Sequence, residues 1–76
     1  MKRVFVFQDF KSQKFWSIEV VGTDVTVNYG KLGTDGQTQV KNYATTEDAE
    51  KAANKLIAEK TKKGYVETAE ETARES

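Results

Sequence analysis

The residues of this chain that could do chemistry are concentrated in residues 29–37, where an aromatic side chain and a lysine stand among three glycines. An aromatic ring two positions from a cation can stack on a base or a sugar while the cation pairs with a phosphate. Turn geometry explains the glycines, because glycine tolerates the positive φ angles of a tight reversal. It does not require Tyr29 or Lys31, which are therefore the candidate binding residues.

The spacing of Gly30, Gly33 and Gly36 invites comparison with three phosphate-binding motifs. A P-loop and a dinucleotide fingerprint both place their glycines at the start of a helix. Here residues 37–43 follow, and their pattern predicts a strand. A KH-type RNA clamp joins two helices, but residues 25–27 before the glycines are β-branched and strand-like. The glycine pattern therefore indicates none of the three motifs.

Composition argues against catalysis. The chain has no histidine and no cysteine, so the usual nucleophile–base pairs and transition-metal sites are missing. The carboxylates of Asp9, Glu19, Asp24 and Asp35 are scattered through turns and strand faces instead of being paired in a cleft. We predict a protein that is not an enzyme, with no catalytic residue, no cofactor and no metal ion.

Length and charge indicate one small domain. A chain of 76 residues buries only roughly 60% of its unfolded surface. The absence of cysteine fits a reducing compartment, and no apolar run is long enough for a signal peptide or a membrane span. We predict a cytoplasmic, soluble monomer that has no contact with a membrane.

Twelve basic and twelve acidic side chains cancel overall, but their distribution is uneven. Residues 1–46 carry six basic and four acidic side chains, whereas residues 64–76 carry one basic and four acidic side chains. Residues 68–76 contain no large apolar side chain, so they cannot offset the entropy of ordering. We predict a folded domain over residues 1–67, mildly basic, and a flexible acidic tail or linker over residues 68–76.

Alternating apolar residues predict an α+β fold, with an antiparallel β-meander of four to five strands and one α-helix packed on one face. The helix is expected at about residues 46–63, with Thr45 as its N-cap and Gly64 as its stop signal. Its lysines at 60, 62 and 63 suit the negative end of the helix dipole better than a nucleic-acid patch. The strands are expected at residues 4–10, 14–20, 25–30, 37–43 and 65–67.

Strand parity predicts the surroundings of three aromatic side chains. Trp16 shares a face with the apolar residues of its strand and is expected in the core. Phe15 has the opposite parity and is the better candidate for an exposed aromatic. Tyr29 shares a face with Val25 and Val27, so it either closes the end of the core or serves as a stacking surface.

The glycine-rich stretch and its flanks resemble the WGR domain, a module named for Trp-Gly-Arg that occurs in poly(ADP-ribose) polymerases and in bacterial proteins. The resemblance covers roughly residues 4–67 and is closest to the bacterial branch. The name-giving tryptophan is Tyr29 here and the arginine is Lys31, so the stacking area is smaller and bidentate pairing is lost. The matching segments are Tyr29-Gly30-Lys31, Leu32-Gly33-Thr34, Gly36-Gln37, Lys14-Phe15-Trp16, the helix and Gly64-Tyr65-Val66.

This resemblance implies a small non-catalytic module that binds nucleic acid at DNA ends or nicks, because the WGR domains of the polymerases engage DNA ends and pass that state to neighbouring domains. Tyr29 would stack on a terminal sugar or base, and Lys31 would contact a phosphate. We assign nucleic-acid contacts to Tyr29, Gly30, Lys31 and Lys41. The alternative is a protein–protein or interdomain docking module in which the same aromatic and cation bind a neighbouring domain.

Overall fold

The computed structural model describes residues 2–68, which form a five-stranded antiparallel sheet with one helix packed against it. The strand order is β4-β3-β2-β1-β5. The predicted α+β fold and meander are therefore confirmed. Thr68, expected in the tail, is the last residue of β5, and the rest of the predicted tail lies outside the described residues. The elements are β1 (Lys2–Gln8), β2 (Gln13–Val21), β3 (Asp24–Lys31), β4 (Gln37–Asn42), α1 (Thr46–Lys62) and β5 (Val66–Thr68).

The core lies between α1 and the face of the sheet that the helix covers. Phe5 and Trp16 are register partners on β1 and β2, and their ring centroids are 5.6 Å apart. Ala49 and Ala53 are fully buried, and their small side chains let the helix approach the sheet closely. Trp16 is thus a core residue, as predicted. The buried core cluster comprises Phe5, Trp16, Ile18, Val25, Ala49, Ala53 and Ile57.

Helix α1 begins and ends at the predicted signals. The backbone N–H of Asp48 donates to Oγ1 of Thr45 at 3.1 Å, which satisfies one free amide of the first turn. At the other end, the N–H of Tyr65 donates to the carbonyl of Lys60 at 3.0 Å, and Gly64 adopts a φ of +107°. This is a Schellman motif, and it returns the chain beside the last helical turn. No helix within residues 2–68 is long and apolar enough to cross a membrane.

The first strand ends two residues earlier than predicted. Oδ1 of Asp9 accepts the backbone N–H groups of Lys11, at 2.8 Å, and Ser12, at 2.6 Å. Because this carboxylate satisfies two amides locally, the chain reverses directly after Gln8. Phe10 therefore lies in the turn and is 94% exposed. The expectation that Phe15 is the exposed aromatic is wrong, since Phe15 is half-buried.

A charge introduced at the helix–sheet contact should unfold the domain. Ala53→Asp places an unpaired carboxylate where the exposed fraction of the side chain is now 0%. The expected cost is several kcal/mol, comparable with the total stability of a small domain. Thermal melting followed by circular dichroism measures it, with Ala58→Asp on the exposed side of the helix as the matched control. A cooperative melt of Ala53→Asp within a few degrees of wild type would contradict this packing.

Candidate functional site

The pairing of β2 with β3 places two lysines directly opposite each other. Lys14 and Lys31 are register partners, and the next pair on the same face is Trp16 with Tyr29. Beyond them, the N–H of Leu32 donates to the carbonyl of Gln13 at 3.0 Å and extends the pairing past the strand. Like charges facing each other across a strand pair are destabilising. This end of the sheet therefore brings two positively charged side chains onto one face.

A cleft of about 460 Å³ opens at the same end of the sheet, where β2 begins and β3 ends. Its volume is within the range of small-ligand sites. Four of the residues that line it are lysines, three are aromatic, and none of those within residues 2–68 is aspartate or glutamate. The cleft is therefore cationic and aromatic. Its lining consists of Lys11, Ser12, Gln13, Lys14, Phe15, Tyr29, Gly30, Lys31, Lys60 and Tyr65.

Lys60 brings a cation from the helix to the cleft. Its Nζ lies 5.7 Å from the ring centroid of Trp16 and 5.4 Å from that of Tyr65. Both distances are within the range of cation–π contacts, which hold the ammonium group over the aromatic faces. The Schellman turn after the helix brings Tyr65 to this position. The helix end thus supplies both a cation and an aromatic wall.

The surroundings of Lys60 lower the pKa of its side chain. Burial lowers its pKa most, and the nearby charges of Lys63 and Lys14 lower it further, while Glu59 partly opposes them. Within residues 2–68, no carboxylate forms an ion pair with Lys14, Lys31 or Lys60. The three ammonium groups therefore have no ion-pair partner in the described part of the chain, and only Lys60 has a carboxylate, that of Glu59, partly offsetting its charge.

Strand parity allowed Tyr29 either to close the end of the core or to present its ring as a binding surface, and its position in the structure is compatible with both. Its side chain is half-buried and packs against the core cluster, and it also forms part of the wall of the cleft. Its hydroxyl donates to Oε1 of Gln37 at 3.2 Å. The ring is therefore anchored on the core side and available on the cleft side.

Two glycines of the motif are required by a close approach of the backbone. A Cβ on Gly30 would lie 2.8 Å from the Cα of Gly36, and a Cβ on Gly36 would lie 2.6 Å from Cζ of Phe15. The side-chain amide of Asn28 donates to the carbonyls of Asp35 and Gln37, both at 3.1 Å, and fastens the loop to β3. The loop therefore covers Phe15 and fixes the strand end that carries the cleft.

The four residues predicted to contact nucleic acid separate into two places. Tyr29, Gly30 and Lys31 lie together in the cleft. Lys41 pairs with Val25 on β3, about 13 Å along the strand from Tyr29 at ~3.3 Å per residue, and does not line the cleft. Its Nζ lies 5.4 Å from the ring centroid of Tyr43. A binding role for these residues stays a prediction.

Seven residues that line the cleft were not predicted from the sequence as site residues, among them Lys14, Lys60 and Tyr65. Lys60 carried a usable signal, because a lysine that extends the apolar stripe of a helix must lay its stem along the core and project its ammonium group at the edge. Lys14 and Tyr65 carried none, since only strand register and the turn after the helix bring them to the cleft. Within residues 2–68 no group of histidine, cysteine, aspartate or glutamate could hold a metal ion.

An antiparallel sheet crossed by one helix, with an aromatic-Gly-cation sequence at the end of β3, defines a small module of the WGR type. The chain belongs to the WGR domain family, which matches residues 1–72.

The chain is also similar to parts of three longer proteins. Protein YehF of Escherichia coli strain K12 is 48% identical over 71 residues, which cover 93% of this chain and 26% of that protein. YfeS, an uncharacterized protein of the same strain, is 49% identical over 67 residues, which cover 88% of this chain and 28% of that protein. A crystal structure of a Bacteroides fragilis protein matches with 82% identity and a TM-score of 0.97, over 100% of this chain and 22% of that chain. The chain thus spans about a quarter of the length of these relatives.

Removing a neighbouring charge should raise the pKa of Lys60. Lys14→Gln deletes one of the positive charges that lower it, and Lys55→Gln, on the exposed side of the same helix, is the control. The pKa of Lys60 is lower in the folded protein than in the unfolded chain. Between these two pKa values the unfolded chain binds more protons, so the free energy of unfolding rises as pH increases through that interval. Titration of the Lys60 side chain by NMR measures the shift. An unchanged Lys60 titration in Lys14→Gln would contradict the proximity of the two charges.

The loop after β3 should tolerate alanine less well than the turn after β2. Gly22 has a φ of +61° and no atom within 4 Å of an added Cβ, so Gly22→Ala should cost only the left-handed penalty of about 1–2 kcal/mol. Gly36 has a φ of +69°, and its added Cβ would also collide with Phe15 and with the carbonyl of Tyr29. Chemical denaturation should show a clearly larger loss for Gly36→Ala. Equal losses of stability in the two variants would show that the loop shifts away from the added Cβ at no cost in free energy.

Proposed function

We propose that this domain binds nucleic acid, at DNA ends or nicks, through the cleft at the end of β3. The observation that carries the proposal is the facing pair Lys14–Lys31 beside Tyr29, in a cleft whose described lining has no carboxylate. A phosphate that enters the cleft neutralises the repulsion between the two lysines. The local electrostatic cost is thereby converted into affinity for a polyanion.

The residues have separate roles in this proposal. Tyr29 stacks on a terminal sugar or base, since its ring is fixed by the core and open to the cleft. Lys31 contacts a phosphate. Gly30 lines the cleft without a side chain, so the backbone of the ligand can approach closely. Lys41 is a further phosphate contact only if the bound strand extends along the sheet.

Binding of this kind is expected to be weak and sensitive to salt. The chain has equal numbers of basic and acidic side chains, so it provides no general attraction for DNA. The affinity instead depends on a few lysines at one end of the sheet. Phosphate contacts release counterions, and log Kd therefore changes linearly with log salt concentration.

Docking to a neighbouring domain is the second candidate. It is favoured by the lengths of the relatives, of which this chain spans only about a quarter. In this alternative, Tyr29 and Lys31 contact a protein surface. An apolar protein interface gives little dependence on salt, so the salt slope separates the two candidates.

The test is a titration of the domain with labelled blunt, nicked and single-stranded oligonucleotides at several salt concentrations. Backbone amide shifts locate the contact, and a fluorescence readout measures Kd. We expect shifts at residues 29–31 and preferential binding of ends or nicks over closed duplex. Absence of shifts there with every oligonucleotide at low salt, where weak electrostatic binding is strongest, would rule out the nucleic-acid proposal in favour of docking.

Two substitutions should separate stacking from charge. Tyr29→Ala should cost ~1–3 kcal/mol of affinity for DNA ends, as for other stacking aromatics. Lys31→Ala should leave the fold intact and reduce the log–log salt slope by about one, as expected for the loss of one phosphate contact. Lys51→Ala, exposed on the helix, is the matched control and should leave the slope unchanged. Equal slopes for Lys31→Ala and wild type would show that Lys31 makes no phosphate contact.

A further inference from the structure

The turn between β1 and β2 presents an aromatic side chain to solvent. Phe10 is 94% exposed, the largest exposed fraction among the large exposed apolar residues within residues 2–68. Single exposed apolar residues are common and need no functional explanation. The position of this one, and the way its backbone is held, distinguish it from Val21, which is 60% exposed at the other end of β2.

The backbone that carries Phe10 is fixed by hydrogen bonds on both sides of it. The N–H of Asp9 donates to the carbonyl of Ser12 at 2.8 Å. The carboxylate of Asp9 in turn accepts the amides of Lys11 and Ser12. Three hydrogen bonds within four residues stabilise the turn. A ring carried by a hydrogen-bonded turn loses less backbone entropy on stacking than a ring on a mobile loop.

The turn that carries the ring adjoins the cleft. The three residues that follow Phe10 all line the cleft, namely Lys11, Ser12 and Gln13. The Nζ of Lys11 is 5.8 Å from the centroid of the Phe10 ring. The exposed ring therefore stands beside a cation that lines the cleft.

We infer that Phe10 is a second stacking surface of this site and covers the exposed face of the terminal base when a DNA end is bound, while Tyr29 stacks on the terminal sugar, an inference that rests on the proposed function. An internal base is covered on both sides by its neighbours, whereas a terminal base exposes one whole face to solvent. A phenylalanine ring can cover that face without any hydrogen bond. Phe10 thus favours ends over continuous duplex, and the lysines hold the adjoining phosphates.

This role is separate from that of Tyr29. Tyr29 packs against the core and lines the cleft, whereas Phe10 makes no contribution to the core and lies in the turn that precedes cleft residues 11–13. Removing the Phe10 ring should therefore leave stability unchanged and alter only binding. This makes Phe10 a cleaner probe of stacking than Tyr29, whose truncation also affects packing.

The experiment uses a short DNA duplex with 2-aminopurine in its last base pair, and a second duplex with the same base at its centre. Wild type should quench the terminal fluorophore on binding and leave the central one unchanged. Phe10→Ala should abolish the terminal quenching and weaken the affinity for the end roughly five- to 150-fold, the usual range for a lost stacking contact. Phe10→Trp should restore both. Val21→Ala, another exposed apolar residue, should behave as wild type.

Phe10→Leu tests whether the aromatic face is needed. Leucine keeps an apolar side chain at the tip but cannot stack, so it should behave as Phe10→Ala in both readouts. Normal binding and quenching by Phe10→Ala would overturn the inference while leaving the proposed function intact, and normal behaviour of Phe10→Leu would overturn the stacking role. If wild type binds neither duplex, the proposed function fails and this inference fails with it.

Discussion

The antiparallel register between β2 and β3 is the constraint on which the rest of the structure depends. It places Trp16 opposite Tyr29 in front of the helix, and Lys14 opposite Lys31 at the strand ends. A slip of one residue would turn all these side chains to the other face of the sheet. The buried apolar residues prevent that slip, because they would lose their contact with α1. The same packing that stabilises the fold therefore forces the two lysines together.

Charged side chains are paired at one side of the sheet and unpaired at the cleft within the described residues. At the β1–β5 side, Arg3 donates two hydrogen bonds to Glu67, at 2.9 and 2.7 Å, and these lower the pKa of the carboxyl group. At the cleft, Lys14, Lys31 and Lys60 form no ion pair with a carboxylate of residues 2–68. The cleft thus gathers these three lysines, of which Lys60 has its charge partly offset by Glu59.

Local signals made most of the fold predictable. The helix, its Thr45 cap and its Gly64 stop follow from residues close together in the chain, and the structure confirms them. The core position of Trp16 follows from strand parity. Two predictions were wrong, the end of β1 and the exposure of Phe15, and in both cases contacts outside the strand overrode the pattern of alternating residues. The carboxylate of Asp9 ended β1 early and exposed Phe10, and the loop before β4 folded over Phe15.

The sequence by itself determined the fold class, the helix, the membership of Tyr29, Gly30 and Lys31 in one short motif, and the need for glycine there. Only the tertiary structure decided which other residues join them. Lys14 and Lys60 come from a different strand and from the helix, and Lys41, a candidate in the sequence, lies elsewhere on the sheet. Periodicity and capping act over a few residues along the chain. Strand register and helix packing join residues that are far apart in it, and no local pattern encodes those distances.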